Sequence, residues 1–122
     1  MEHSQRIGLL GEVYAARFLR DAGYGILAAN YASKSGEIDI VAEQNGVCVF
    51  VEVKSRDRTT LFAPADAVDA QKQERVRGTA AAFLAAEKTH GTEKLRTAIR
   101  FDIIEVLFSG KDYTINHVKN AF

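Results

Sequence analysis

Apolar residues at Ile7, Leu10, Tyr14 and Phe18 recur at spacings of three and four, the period of one helical face. This pattern predicts a helix from about Ser4 to Ala22, with Ser4 as its starting cap and Gly23 at its end. The rhythm then changes. YGILAANYA (24–32), GEIDIVAE (36–43) and VCVFVEVKS (47–55) read as three strands, each bounded by turn-forming or polar residues. The third is rich in β-branched residues and does not alternate, so both of its faces are expected to be covered. SRDRTTLFAP follows as a loop, and residues 65–87, rich in Ala, Gln, Lys and Glu, read as a second long helix with Pro64 where a helix can begin. TAIRFDIIEVLF and DYTINHV complete the pattern as two strands joined by a turn at Ser109-Gly110-Lys111. The predicted order is α β β β α β β. With no internal repeat, low-complexity tract or linker, one domain over 1–122 is expected.

The most apolar part of this pattern also carries ionisable groups. Asn45-Gly46 lies between two strand-like runs and predicts a type I′ hairpin, whose central residues both need positive φ. That turn sets Gln44 opposite Val47, Val41 opposite Phe50, Asp39 opposite Glu52 and Glu37 opposite Lys54. Directly opposed residues have Cβ atoms ~4.5–5.5 Å apart, and like charges there are destabilising unless something positive lies between them. Alternation places Glu37 on the face of Asp39, and Lys54 on the face of Glu52. The ordinary alternative is a solvated strand end with Lys54 in a surface ion pair. Burial of carboxylates beside apolar strands is costly without a counter-charge, which favours a built site.

A hard divalent cation fits such a site. Magnesium takes one or two carboxylates, a backbone carbonyl and several waters, and leaves positions open for phosphate oxygens. Asp39 and Glu52 suit it, with the carbonyl of Val53 in reach, and manganese could substitute. Zinc is a poorer match, because His3, His90 and His117 are scattered and Cys48 is the only cysteine. Lys54 could polarise a water or stabilise charge developing on a phosphate. This is the constellation that metal-assisted phosphodiester hydrolysis requires.

Composition narrows the partners. The chain has 122 residues, 47% of them hydrophobic and 26% charged, which suits one ordinary globular core. Formal net charge is zero, so any surface for nucleic acid must be local. Lys72 and Arg75, at i and i+3 on the second helix, and Arg56 and Arg58, just past the third strand, are the candidate strip. QKQERVR also reads as a plain solvated helix face. One cysteine, set in VCVFV, excludes an internal disulfide and suits a reducing cytoplasm. No segment approaches a membrane span of ~20 apolar residues, and MEHSQRIGLLGEVYAARFL lacks the features of a signal peptide, so a soluble, unprocessed protein is expected.

Asp39, a spacer of 12 residues and then Glu52-Val53-Lys54 resemble the PD-(D/E)XK motif of the restriction-endonuclease-like superfamily. More closely, LGEVYAARFL, GYGILAANY, GEIDIVA, VFVEVKSR, DAVDAQKQERV and RFDIIEV, in this order, resemble the YraN family of bacterial proteins, grouped with endonucleases related to Holliday-junction resolvases. The resemblance runs from about Gly8 to Val106. It implies a restriction-endonuclease-like α/β core, a mixed sheet of about five strands flanked by helices. It further implies that Glu12, on the first helix, completes the acidic set as a catalytic residue and metal ligand, with Gly11 permitting close approach of that helix to the sheet. Gln71 and Lys72 match a position often polar or basic near the scissile phosphate, and Glu37 is read as a supporting residue on the active face, paired with Lys54. Branched DNA as partner and a symmetric homodimer are implied by the junction resolvases alone. The chain departs from the pattern at Ile38, in place of the motif's proline, and at Phe62-Ala63, where the family usually has a glycine. Arg100-Phe101-Asp102 matches the family, with Phe101 read as core and Asp102 given no physical role.

Two function classes follow. One is a magnesium-dependent DNA endonuclease using Asp39, Glu52, Lys54 and Glu12. The alternative is a non-catalytic nucleic-acid-binding or adaptor protein that retains the nuclease fold, which predicts salt-sensitive DNA binding without cleavage. A purely structural domain would leave the carboxylates without purpose.

Overall fold

The computed structural model describes residues 2–57 and 68–122; Arg58, Phe62-Ala63, Pro64 and the expected helix start at residue 65 lie outside them. The elements are α1 (His3–Asp21), β1 (Gly25–Ser33), β2 (Gly36–Gln44), β3 (Val47–Asp57), α2 (Ala70–Thr89), β4 (Ala98–Ser109) and β5 (Asp112–Val118), the order predicted above. Strands lie side by side in chain order as one five-stranded sheet. All neighbours are antiparallel except β3 and β4, which run parallel because α2 carries the chain back across the sheet. The protein is α/β with a mixed sheet.

The two helices cover opposite faces. Ala15 and Leu19 of α1 pack with Ile40, Val49, Val51, Ile104 and Val106, whereas Val76, Ala80 and Phe83 of α2 pack with Val41, Cys48, Phe50 and Phe101. β3 is therefore buried from both sides, as its unbroken apolar run requires. Burial pushes the Cys48 thiol up to about 11, which keeps it protonated and apolar in character. Among the described residues no helix is long and apolar enough to cross a membrane.

Local chemistry sets the element ends. α1 begins at His3, with the Glu2 N–H donating to Gln5 Oε1 at 3.2 Å, so Ser4 lies inside the first turn rather than capping it. At the other end Gly23 adopts φ +92°, its N–H donates to the Arg20 carbonyl and that of Tyr24 to the Leu19 carbonyl, a Schellman closure. α2 starts at Ala70 because the Asp69 carboxylate accepts from the Lys72 N–H at 2.8 Å. Asn45 and Gly46 have φ of 52° and 80°, and the predicted register holds from Gln44↔Val47 to Ile40↔Val51. The last turn is tighter than expected, since Ser109 pairs with Asp112 and only Gly110 and Lys111 lie between.

The seam of α1 is made of small residues. Gly11, Ala15 and Leu19 face the sheet with Ile7, Tyr14 and Phe18 beside them, and Leu10 is exposed rather than buried. The spacing of large apolar residues had marked one edge of the buried stripe, because glycine and alanine carry no such signal. A β-carbon at Gly11 would fall 1.7 Å from Ser55 Oγ and 2.8 Å from Ser55 Cβ. The helix thus lies directly on β3.

Arg100 and Asp102 share the α1 face of β4 and form a buried polar knot. Asp102, 0% exposed, accepts from Arg100 Nε at 2.9 Å, from the Asn120 N–H at 3.1 Å and pairs with His117 Nε2 at 2.7 Å, while Arg100 Nη2 donates to the Tyr24 hydroxyl at 2.8 Å. Burial alone would raise the Asp102 pKa, but the bonds from His117, Arg100 and Asn120 hold it below the ordinary carboxylate value. This is the role that the sequence reading lacked.

The close contact of α1 and β3 yields a prediction. Gly11→Ala overpacks the seam and is expected to cost about 1–3 kcal/mol in urea unfolding, and clearly less in a Ser55→Gly background, where the obstructing side chain is gone. Equal cost in both backgrounds would place the strain elsewhere.

Candidate functional site

The sheet loses its regularity at Asp39. Ile38 packs in the core beneath α2 and Ile40 in the core beneath α1, although residues two apart on a strand should share a face. Alternation therefore breaks between them. On the β1 side the pairing passes from Ala29↔Ile40 to Tyr31↔Ile38, and Asn30, facing the gap, has φ 51°. On the β3 side the ladder ends at Ile40↔Val51, one pair short of Asp39 and Glu52. Asp39 Oδ2 instead accepts the Val53 N–H at 2.8 Å, replacing the missing ladder bond with a side chain.

This break redistributes the acids. Cys48 and Phe50 lie in the α2-side core, so Glu52 and Lys54 continue on that face. Counting on from Ile38 puts the exposed Glu37 on the α1 face, where its charge is felt by Glu12. Glu37 does not join Lys54 as expected, because that register assumed uninterrupted alternation. Asp39 stands at the crossover, close enough to raise the pKa of both Glu12 and Glu52. The N–H and C=O of one strand residue point to the same side, so the Val53 carbonyl shares the gap with its N–H and Asp39.

The carboxylates are poorly compensated. Glu52 is 4% exposed; its Oε1 is buried without a hydrogen-bond partner, and its Oε2 lies 3.4 Å from Lys72 Nζ. Burial first, and the charge of Asp39 next, push the Glu52 carboxyl up to about 7 against the pull of Lys72 and Lys54. Asp39 is raised by burial and only partly relieved by the Val53 N–H, Lys72 and Lys54. Glu12 is raised by burial, then Asp39, while the Asn30 side chain pulls it back as a hydrogen-bond donor. Asn30 is a member of this site that the sequence reading missed, and its only signal is an Asn within a strand, a residue type that tolerates positive φ. Among the described residues no three His, Cys, Asp or Glu side chains stand together closely enough to hold a metal ion by themselves. A cation with one or two carboxylates, a carbonyl and waters does not need three.

The basic residues divide. Lys72 reaches the acids from the first turn of α2, whereas Gln71 and Arg75 are exposed on the same helix, Arg75 over the start of β2 near Gly36. Arg56 lies further along β3, pairing with Leu107 of β4, and Arg58 is outside the described residues. His3 pairs with Asp57, fastening the start of α1 to the end of β3.

A family model described as "Uncharacterised protein family UPF0102" matches residues 11–106, which takes in every acid of the gap. A UPF0102 protein of Alkaliphilus oremlandii is 40% identical over 119 residues, covering 98% of this chain and 99% of its own length. One from Rhodococcus opacus is 37% identical over 123 residues, covering all of both chains, and one from Lachnoclostridium phytofermentans is 42% identical over 115 residues, covering 94% of this chain and 91% of its own. The chain belongs to the UPF0102 family. This is the YraN-like family that the motifs resemble, and its model begins at Gly11, the residue that lays α1 on the sheet.

In this UPF0102 protein the raised Glu52 predicts a pH dependence with a definite sign. The folded state keeps a proton on Glu52 up to about 7, while the unfolded chain releases it near 4.5, so stability falls as pH rises through that window. The loss is on the order of 3 kcal/mol. Glu52→Gln, which carries no charge, is expected to exceed the parent in EDTA by roughly 2–3 kcal/mol near pH 8, and by little near pH 4.5. Urea unfolding at the two pH values checks this, and a gap that does not change with pH would contradict it.

Proposed function

We propose that the protein is a divalent-metal-dependent endonuclease that hydrolyses phosphodiester bonds in DNA. The observation that carries the proposal is Glu52 Oε1, a buried carboxylate oxygen without a partner beside a second raised carboxylate, Asp39. A native interior rarely leaves such an atom unmet unless a ligand completes it. Asp39, Glu52 and the Val53 carbonyl would hold magnesium, with manganese as a substitute, and Glu12 would act from the α1 side through its coupling to Asp39. When bound, the ion supplies Lewis acidity and activates water at neutral pH.

The chain's own groups do the remaining work. Asp39 is held through Oδ2 by the Val53 N–H, which fixes its carboxylate at the gap. Lys54, on the face of Glu52, would hold the attacking water or stabilise charge on the phosphate oxygens. Lys72 and Arg75, with Gln71 beside them, would meet the phosphate backbone from α2, and Arg56 from the β3 side, with Arg58 following it in the chain. Glu37, on the α1 face with Glu12, adds a like charge that raises the pKa of both Glu12 and Asp39. The likeness of GEIDIVA and VFVEVKSR to junction resolvases favours DNA over RNA, branched DNA as the substrate, and action as a homodimer.

The test is cleavage of labelled single-stranded, duplex, flapped and four-way DNA with magnesium, manganese or EDTA, using the parent beside Lys54→Ala and Glu52→Gln. The expected result is metal-dependent cutting that drops by about 100-fold or more in Lys54→Ala and is lost in Glu52→Gln. Binding without any cutting would instead favour a nucleic-acid-binding adaptor that keeps this fold, a reading consistent with the lack of a three-acid cluster among the described residues.

A further inference from the structure

Among the described residues, the lysine paired with the buried Glu52 is not the one in the Glu-Val-Lys run. Lys72 Nζ lies 3.4 Å from Glu52 Oε2, and its charge bears more heavily than that of Lys54 on both Asp39 and Glu52. Its backbone is fixed, because the Lys72 N–H is the one that caps α2 on Asp69 at 2.8 Å. Its tip is not, since the side chain is 37% exposed while that of Glu52 is 5% exposed. A contact of 3.4 Å is also longer than the ~2.7–2.9 Å of a tight charge-assisted hydrogen bond. A lysine with a fixed root, a flexible four-carbon stem and a solvent-reaching ammonium can leave its carboxylate cheaply. Glu52 cannot follow it, being on the central strand.

A divalent ion on Asp39 and Glu52 would bring two positive charges to the carboxylate where Lys72 brings one, and the two cations repel at that distance. We infer that Lys72 is a displaceable counter-ion, which pairs with Glu52 in the metal-free protein and, once a divalent ion takes Glu52, turns outward to a phosphate oxygen of the nucleic acid. The inference rests on the proposed metal site and adds to it a coupling: loading the ion frees one phosphate contact. By linkage the phosphate contact then favours the ion equally. Lys72 is thereby a positioning residue that couples binding of the ion to binding of the phosphate.

The experiment has two readouts, neither of them cleavage. Manganese affinity of the protein alone is measured by calorimetry for the parent, Lys72→Met and Lys72→Arg. Binding of a four-way DNA is measured against salt, in EDTA and in calcium. Lys72→Met is expected to bind manganese at least about fivefold more tightly than the parent. On adding calcium the parent's salt dependence should steepen by about one more phosphate contact than that of Lys72→Met, a slope difference near 0.9, and Lys72→Arg should behave as the parent. The same calcium-induced change in the parent and Lys72→Met would overturn the release of Lys72, as would equal manganese affinity. No manganese binding by the parent would overturn the metal site itself, and this inference with it.

Discussion

The hydrogen bond from the Val53 N–H to Asp39 Oδ2 is the constraint on which the site depends. It closes a part-buried backbone donor that the β2–β3 ladder leaves open beyond Ile40↔Val51. In doing so it draws the Asp39 side chain toward the gap between strands, and lets β2 reverse its faces between Ile38 and Ile40. Had the ladder continued, Asp39 would stand above the sheet directly against Glu52, with Glu37 beside it. The reversal instead divides the acids, with Glu12 and Glu37 toward α1, Glu52 toward α2, and Asp39 between. Two charges that would repel at one point are set on either side of a fixed third. The close approach of α1 at Gly11 and Ser55 then brings Glu12 within range.

Two buried carboxylates in the same sheet show that burial by itself is not the signal. Asp102 is more deeply buried than Glu52, yet its pKa lies below the ordinary value because Arg100, His117 and Asn120 meet its oxygens. Glu52 has one ion pair at 3.4 Å and one oxygen with no partner, and its pKa rises to about 7. The first carboxylate is complete and ties β4, β5 and the turn before β1 together. The second is incomplete, and incompleteness in an otherwise well-packed core is what points to a ligand.

Local signals were legible in the chain. Asn45-Gly46 announced both the turn and the register, and the apolar run of β3 announced a strand buried on both sides. That register, carried one pair further, also set Asp39 opposite Glu52, but the ladder stops at Ile40↔Val51. What could not be read was any departure from regular periodicity. A period of two assumes that alternation never breaks, so Glu37 fell on the wrong face. A helical stripe counted on large residues missed the small seam of Gly11 and Ala15 and put Leu10 inside. Asp102 and Arg100 were visible as a motif, but their partners Tyr24, His117 and Asn120 come from distant parts of the chain. The prominence of Lys72 over Lys54 likewise depends on where α2 begins, which Asp69 decides.

Charge balance bears on how such a site could meet nucleic acid. The chain has no net charge, so long-range attraction to a polyanion is weak, and the acids of the gap oppose a phosphate placed there. Lys72 and Lys54 cannot both compensate Glu52 and Asp39 and bind phosphate with full strength. On the proposed reading, a divalent ion resolves this conflict by taking over the acids. The local field then changes sign where the scissile group must sit, and the cations already present become available to the backbone. A neutral protein would thus acquire its affinity at the place and in the state where chemistry can follow, and it would have little reason to hold DNA before then.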